Sequence, residues 1–293
     1  MTRSRANLMI LLATIFWGTS YTLTKVGLGS FGVFNLIAIR FLLGFGVAAL
    51  VLRRHMVIKR KVLYYSIGLG TLLFMAFTTM TLALKYTTAS NVGFLVGSLV
   101  VIIPIISFLI LREKIERRVM FASPVAFLGI TLITMNGGVT MNRGDLLALL
   151  CAGFFALHIV FTGKLTKRVD SLSLGVLQLG VVGGMSLPVA LFSEDFQLPP
   201  SVNLWIIVLF LSIMSTAFGY VTQTVAQQET PPEVAGVIIS LEPLFSAVVA
   251  YSVLGEVMSI QGIIGGCILL GSILLVQVEP LKIKGALFKK QVF

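Results

Sequence analysis

Ten largely apolar runs, most of them near the roughly 20 residues a helix needs to cross a bilayer, follow one another along this 293-residue chain with little between them. Read between clusters of charge and turn residues, they span 6–27, 33–52, 63–86, 89–111, 119–136, 145–164, 171–193, 203–226, 232–254 and 259–278. The breaks have local causes. A basic group (Arg53, Arg54, Lys59, Arg60, Lys61) follows the second run, and Asn136-Gly137-Gly138, Pro199-Pro200 and Pro231-Pro232 stand at later ones, residue types that favour turns or stop helices. Charged residues make up 11% of the chain and apolar ones 57%, against roughly 25% charged in a soluble domain. That leaves too little polar surface to cover a globule, which excludes a soluble enzyme or a disordered chain. The expected fold class is an all-α polytopic membrane protein with ten transmembrane helices.

The net charge of +11 would suggest nucleic acid in a soluble chain, but its placement points to topology. With the N-terminus in the cytoplasm, eighteen Lys and Arg fall on inner segments, and only Lys25, Lys85 and Arg143 lie at outer ends. The positive-inside rule then places both termini in the cytoplasm, with anionic headgroups as natural neighbours and no nucleic acid. The first run is longer than a signal peptide's core and has no small-residue cleavage site behind it, so it is expected to be retained. Cys151 and Cys267 lie inside apolar runs without ligand-like spacing and read as packing residues.

The chain repeats itself. Ala83, Thr87, Gly93 and Glu113 recur in the same order and at the same spacing as Ala226, Thr230, Gly236 and Glu256, and Phe16-Trp17 corresponds to Phe154-Phe155 at a slightly smaller offset. Five spans per half is an odd number, so the second copy runs upside down relative to the first, the build of many secondary transporters. The expected division is a first five-helix repeat over 1–138, a second, inverted one over 139–279 and a basic cytoplasmic tail over 280–293.

The stretch Phe16-Trp17-Gly18-Thr19-Ser20-Tyr21, then Arg40-Phe41, Ala83-Leu84-Lys85-Tyr86-Thr87-Thr88-Ala89 leading to Gly93-Phe94-Leu95, and Ser240-Leu241-Glu242-Pro243 with Gly255-Glu256 after it resembles the drug/metabolite transporter superfamily, in its ten-helix branch with two EamA domains. The resemblance implies a secondary transporter that exports small organic metabolites, amino acids or related compounds foremost, across a bacterial plasma membrane. Two alternatives stand beside it: export of lipophilic or quaternary cations, and a lipid-handling or assembly protein without solute flux. The sequence departs from the family pattern in one place. Pro243 stands at the expected distance before Glu256 in the second half, whereas Val100 holds the matching place in the first half and Pro104 follows one turn later, so the two halves are not expected to bend alike.

Glu242 is the one acid near a bilayer midplane. Ionised and unpaired there it would cost roughly 2.5–3.5 kcal/mol, so it binds a cationic group or carries a coupling proton, or else its carboxyl satisfies backbone freed by the Pro243 kink. His158 suits a proton relay or a neutral imidazole bonded across helices. Trp17 and Tyr21 share a helical face with Thr24 and Lys25; Trp17, near mid-span, is expected to line a cavity and Lys25 to snorkel. Thr78 in the third run, and Thr216 and Tyr220 in a polar strip on the eighth, are further cavity candidates, with Asn91, Gly97 and Ser240 beside them. The glycine pairs Gly93/Gly97, Gly180/Gly184 and Gly262/Gly266, each one helical turn apart, read as close helix packing. Arg40 is expected to snorkel outward or pair with carbonyls in a structural role. No motif calls for a cofactor or a metal and no catalytic constellation is visible; the expected partners are a small-molecule substrate, a coupling proton and the bilayer, with monomer and homodimer both open.

Overall fold

In the computed structural model, residues 1–112, 117–134, 142–254 and 260–277 are described. They form ten helical segments in chain order: Arg3–Gly27, Val33–Leu52, Arg60–Tyr86, 89–111, Arg117–Thr134, Arg143–Leu165, Ser171–Ser193, 202–226, 232–254 and Ile260–Gln277. These are called the first to the tenth helix below. Six of them, the first, second, third, sixth, seventh and eighth, are long and apolar enough to cross a membrane unaided. The fifth and tenth have 18 residues each, and the fourth and ninth are interrupted. Glu113, Gly255, Glu256, Gly138 with the expected division beside it, and the 280–293 tail lie outside the described residues.

Helix starts follow from capping. Asn142 and Asp145 form a reciprocal capping box at the sixth helix, which satisfies donors that a helix end otherwise leaves open. Asp170 accepts from Ser173 N at 2.8 Å at the start of the seventh, and Pro232 opens the ninth, where its missing N–H costs nothing. The second helix is capped from a distance. Its N-cap is Gly32, and the Glu194 carboxylate, just past the seventh helix, takes the N–H groups of Phe34 and Asn35 at 3.2 and 2.8 Å. A Cβ at Gly32 would lie on that carboxylate.

The packing is symmetric by sequence position. The second helix lies on the seventh and the fifth on the tenth; the third lies on the sixth and seventh as the eighth lies on the first and second; the fourth meets the sixth as the ninth meets the first. Exchanging the first five helices for the last five leaves these neighbours unchanged.

The fourth and ninth helices, partners in that exchange, both break beside a serine at nearly the same place. Ser98 Oγ donates to Leu95 O and Ser240 Oγ to Val237 O, both at 2.6 Å, the two serines standing one residue out of register between the two halves of the chain. A hydroxyl bonded back to the preceding turn competes with the helical ladder and bends it. Beyond the break the halves differ, as their prolines suggest. Pro104 sits inside the fourth helix, removes a ladder donor, and is followed by a π-helical turn, Ser107–Leu111, ending at Arg112 with φ of 54°. Pro243 is the second residue of the piece Glu242–Leu254, where a helix needs no donor, and no such turn follows among the described residues.

Several helices approach through glycine, though not through the expected pairs throughout. Gly97 and Gly180 pack on Ile130 and Phe45, whereas an added Cβ at Gly93 or Gly184 would meet nothing within 4 Å; the Gly262 side of the third pair lies outside the description. The tightest contacts are elsewhere. At Gly70 a Cβ would stand 2.5 Å from Val181 Cβ and 2.9 Å from Gln178 O, because the third and seventh helices nearly touch there. Gly70→Ala is expected to destabilise the protein by ~1–3 kcal/mol through overpacking, and Gly68→Ala, which meets nothing, to leave the unfolding temperature in detergent unchanged or raised.

Candidate functional site

A narrow cavity opens where the first, second, third, fourth, sixth, eighth and ninth helices converge, with about 430 Å³ of empty space that includes open solvent. Of the sequence candidates, Trp17, Tyr21, His158, Tyr220 and Glu242 line it. Trp17 and Tyr220 pack as a tilted pair with centroids 5.0 Å apart, and Phe77 meets Tyr220 edge-on at 5.7 Å, so one wall is aromatic. Of the other five candidates, four lie off the wall. Thr216 is buried behind it, Ser240 is spent on the helix break, and Gly97 packs on Ile130. Thr78 is half-buried in the third helix with its hydroxyl unpaired, and the Asn91 side chain lies outside the description.

The wall is fixed from the eighth helix. Residues Leu211–Phe218 are π-helical, a turn whose wider register takes carbonyls out of the ordinary ladder and recurs at functional sites. The Ser215 carbonyl accepts the Trp17 Nε1–H at 2.8 Å. Room for the indole comes from Gly219, where a Cβ would stand 2.6 Å from Nε1.

Arg40 overturns its expectation. It neither snorkels nor pairs with carbonyls; it is 2% exposed and faces the cavity. Its Nε donates to Thr216 Oγ1 at 2.6 Å, Nη2 to Ser215 Oγ at 2.8 Å and Nη1 to Thr24 Oγ1 at 3.4 Å, and its Cζ stands 4.7 Å from the Phe77 ring centroid. All of these partners are neutral. A guanidinium carries five N–H donors, so three bonds leave two for another group, and among the described residues no carboxylate pairs with it.

Glu242 sits at the break of the ninth helix, 9% exposed. Its Oε2 accepts the Tyr21 hydroxyl at 2.7 Å, across to the first helix, so this carboxyl also has a neutral partner. His158 Nε2 lies 2.8 Å from Gln178 Oε1, and Gln178 Nε2 donates to Thr224 Oγ1 at 2.9 Å. The imidazole is thus bonded across helices, and its Nδ1 has no partner among the described residues. Sequence reading passed over Gln178, although an amide isolated within an apolar run was the signal.

An internal cavity with a few buried polar groups on a largely apolar and aromatic wall, between two five-helix halves and at the breaks of paired helices, fits a polytopic membrane protein. Residues 4–135 and 142–278 each match the EamA-like transporter family, one match on each set of five helices, and the chain belongs to that family. An uncharacterised transporter of Archaeoglobus fulgidus is 27% identical over 278 residues, covering 94% of this chain and 87% of its own length. The uncharacterised transporter YyaM of Bacillus subtilis is 23% identical over 285 residues, covering 91% and 92%. A protein of known crystal structure shares the fold, with a TM-score of 0.80 at 19% identity over 94% of this chain and 97% of its own.

Removing the Trp17 donor while keeping an aromatic ring isolates the π-turn contact. Trp17→Phe leaves the buried Ser215 carbonyl short of a partner and is expected to cost ~1–3 kcal/mol, read as a lower unfolding temperature. Trp205→Phe, at a half-buried site, is expected to cost less.

Proposed function

We propose that this transporter exports small zwitterionic metabolites, amino acids and their relatives, from the cytoplasm across the bacterial plasma membrane by alternating access. In this reading the two halves are inverted copies that rock about the cavity, both termini lie in the cytoplasm, and the protein performs no covalent chemistry. Orientation rests on the eighteen inner against three outer basic residues and the positive-inside rule.

One observation carries the substrate class: a single cavity holds a buried cation, Arg40, and a buried acid, Glu242, each bonded only to neutral groups. Unpaired charges in a low-dielectric site are costly, and a ligand with its own carboxylate and ammonium compensates both. Guanidinium is suited to two-pronged carboxylate binding, Glu242 and the aromatic faces to an ammonium. A quaternary cation would satisfy Glu242 and the rings but meet Arg40 with like charge. That weighs against the drug-cation alternative, and a chamber that holds a buried Arg40 and Glu242 weighs against a packed lipid-handling bundle.

Flux from reconstituted vesicles loaded with labelled amino acids or with tetraphenylphosphonium tests this. Amino-acid release is expected from the parent, lowered about 10- to 100-fold by Arg40→Gln and by Glu242→Gln, since a hydrogen bond to a charged group is worth ~1.5–3 kcal/mol. Release of tetraphenylphosphonium alone would move the assignment to cations. Lipid movement without solute flux would overturn it.

A further inference from the structure

A second recess lies outside the transport cavity, between the segment joining the second and third helices and the turn after the sixth. It is wider, with about 1300 Å³ of space open to solvent. Lys59, Arg60 and Lys61 line it from one side and Lys167 and Arg168 from the other, with Asp170 as the one acid on its wall. Asp170 Oδ1 takes the N–H and the hydroxyl of Ser173 at 2.8 and 2.5 Å, and its single negative charge leaves the five cations in clear excess. The one ion pair among the described residues joins the N-terminal ammonium to Glu229, so none of the five cations is neutralised there. The third helix also begins in this recess, with no side-chain cap and no acid in its first turn, which adds to the positive potential.

The two sides of the recess come from different halves of the chain and are already tied. Val57 N donates to Ser173 Oγ at 2.7 Å, so the basic groups are held across a fixed gap and do not simply splay into water.

We infer that this recess binds the headgroup of an anionic phospholipid. Basic pockets at the cytoplasmic ends of membrane helices suit phosphate headgroups, and on the orientation proposed above this is the cytoplasmic end. What favours a lipid over a free phosphate is the surface that continues from the recess. Ile58, Leu63, Tyr64 and Ile67 are all exposed, the last three on the third helix one to two turns past its basic start, where acyl chains of a lipid seated in the recess would lie. Arg60 stands at the seam. Its Nη2 donates to the Tyr64 hydroxyl at 3.1 Å and its Cζ lies 5.5 Å from that ring, an amphipathic pair suited to the headgroup boundary. A soluble phosphate compound would use the cations and leave this strip idle.

Native mass spectrometry of the purified protein in mixed micelles tests the assignment, with phosphatidylglycerol and phosphatidylcholine of the same chains offered in equal amounts. Phosphatidylglycerol is expected to be retained preferentially and to raise the unfolding temperature. The double variant Lys61→Gln, Arg168→Gln should lose about 30-fold in that retention, about fivefold for each basic residue removed. Arg3→Gln, Arg5→Gln removes the same charge from the same side and should leave it unchanged. Equal retention of the two lipids, or equal loss in both variants, would overturn the proposal. So would protection by glycerol 3-phosphate equal to that by phosphatidylglycerol, which would make the site one for soluble phosphates. These variants leave the cavity untouched, so amino-acid flux failing while lipid selectivity persists would count against the transport reading alone.

Discussion

Much of the cavity hangs on the carbonyl of Ser215. Within a bilayer a backbone group without a partner costs several kcal/mol, and irregular backbone survives only where protein or a lined cavity satisfies it. The π-helical turn Leu211–Phe218 is such a place. Its Ser215 carbonyl is answered by the Trp17 indole, which fits because Gly219 has no side chain. The same turn presents the Ser215 and Thr216 hydroxyls that hold Arg40. One irregular turn thus orients the aromatic wall and the buried cation together, and ties the first and second helices to the eighth.

The frame around it is symmetric while its chemistry is not. Arg40 and Gln178 are separated along the chain by the same offset as Ser20 and His158; each pair occupies matching places on matching helices. One half therefore contributes a cation beside a small hydroxyl, and the other an amide bonded to an imidazole. A duplicated scaffold supplies two equivalent packing solutions, and divergence at these positions puts the cation of the chamber on one half and an amide–imidazole pair on the other, which also carries the acid Glu242. Such a chamber can hold an asymmetric solute in one orientation, which a strictly symmetric site cannot do.

How much of this was legible in the sequence depends on the range of the interaction. The bounds of the second, fourth, seventh and ninth runs agree with the helices because apolar length and turn chemistry are local. The breaks at Ser98 and Ser240 were hidden, since a hydroxyl bonded to its own preceding turn leaves hydropathy almost unchanged. Where Arg40 points is decided by hydroxyls 175 and 176 residues away, which no local pattern contains. Trp17, Tyr21 and Glu242 were readable because a polar or aromatic group at mid-span has few places to go. Thr78, Thr216 and Ser240 were read from the same logic, yet hydroxyls can satisfy themselves on their own helix, so their presence at mid-span says little about a cavity wall.

Under the proposed alternating access, the chamber opens to water in turn on each side of the membrane. Met80 lines it without a polar role, and the native thiols Cys151 and Cys267 are free, so Met80→Cys in a chain lacking both gives a single reporter. Labelling by a membrane-impermeant maleimide in right-side-out and inside-out vesicles measures access from each face. Alternating access predicts modification from both faces, slowed by transported solute. Modification from one face only, or from neither, would contradict it.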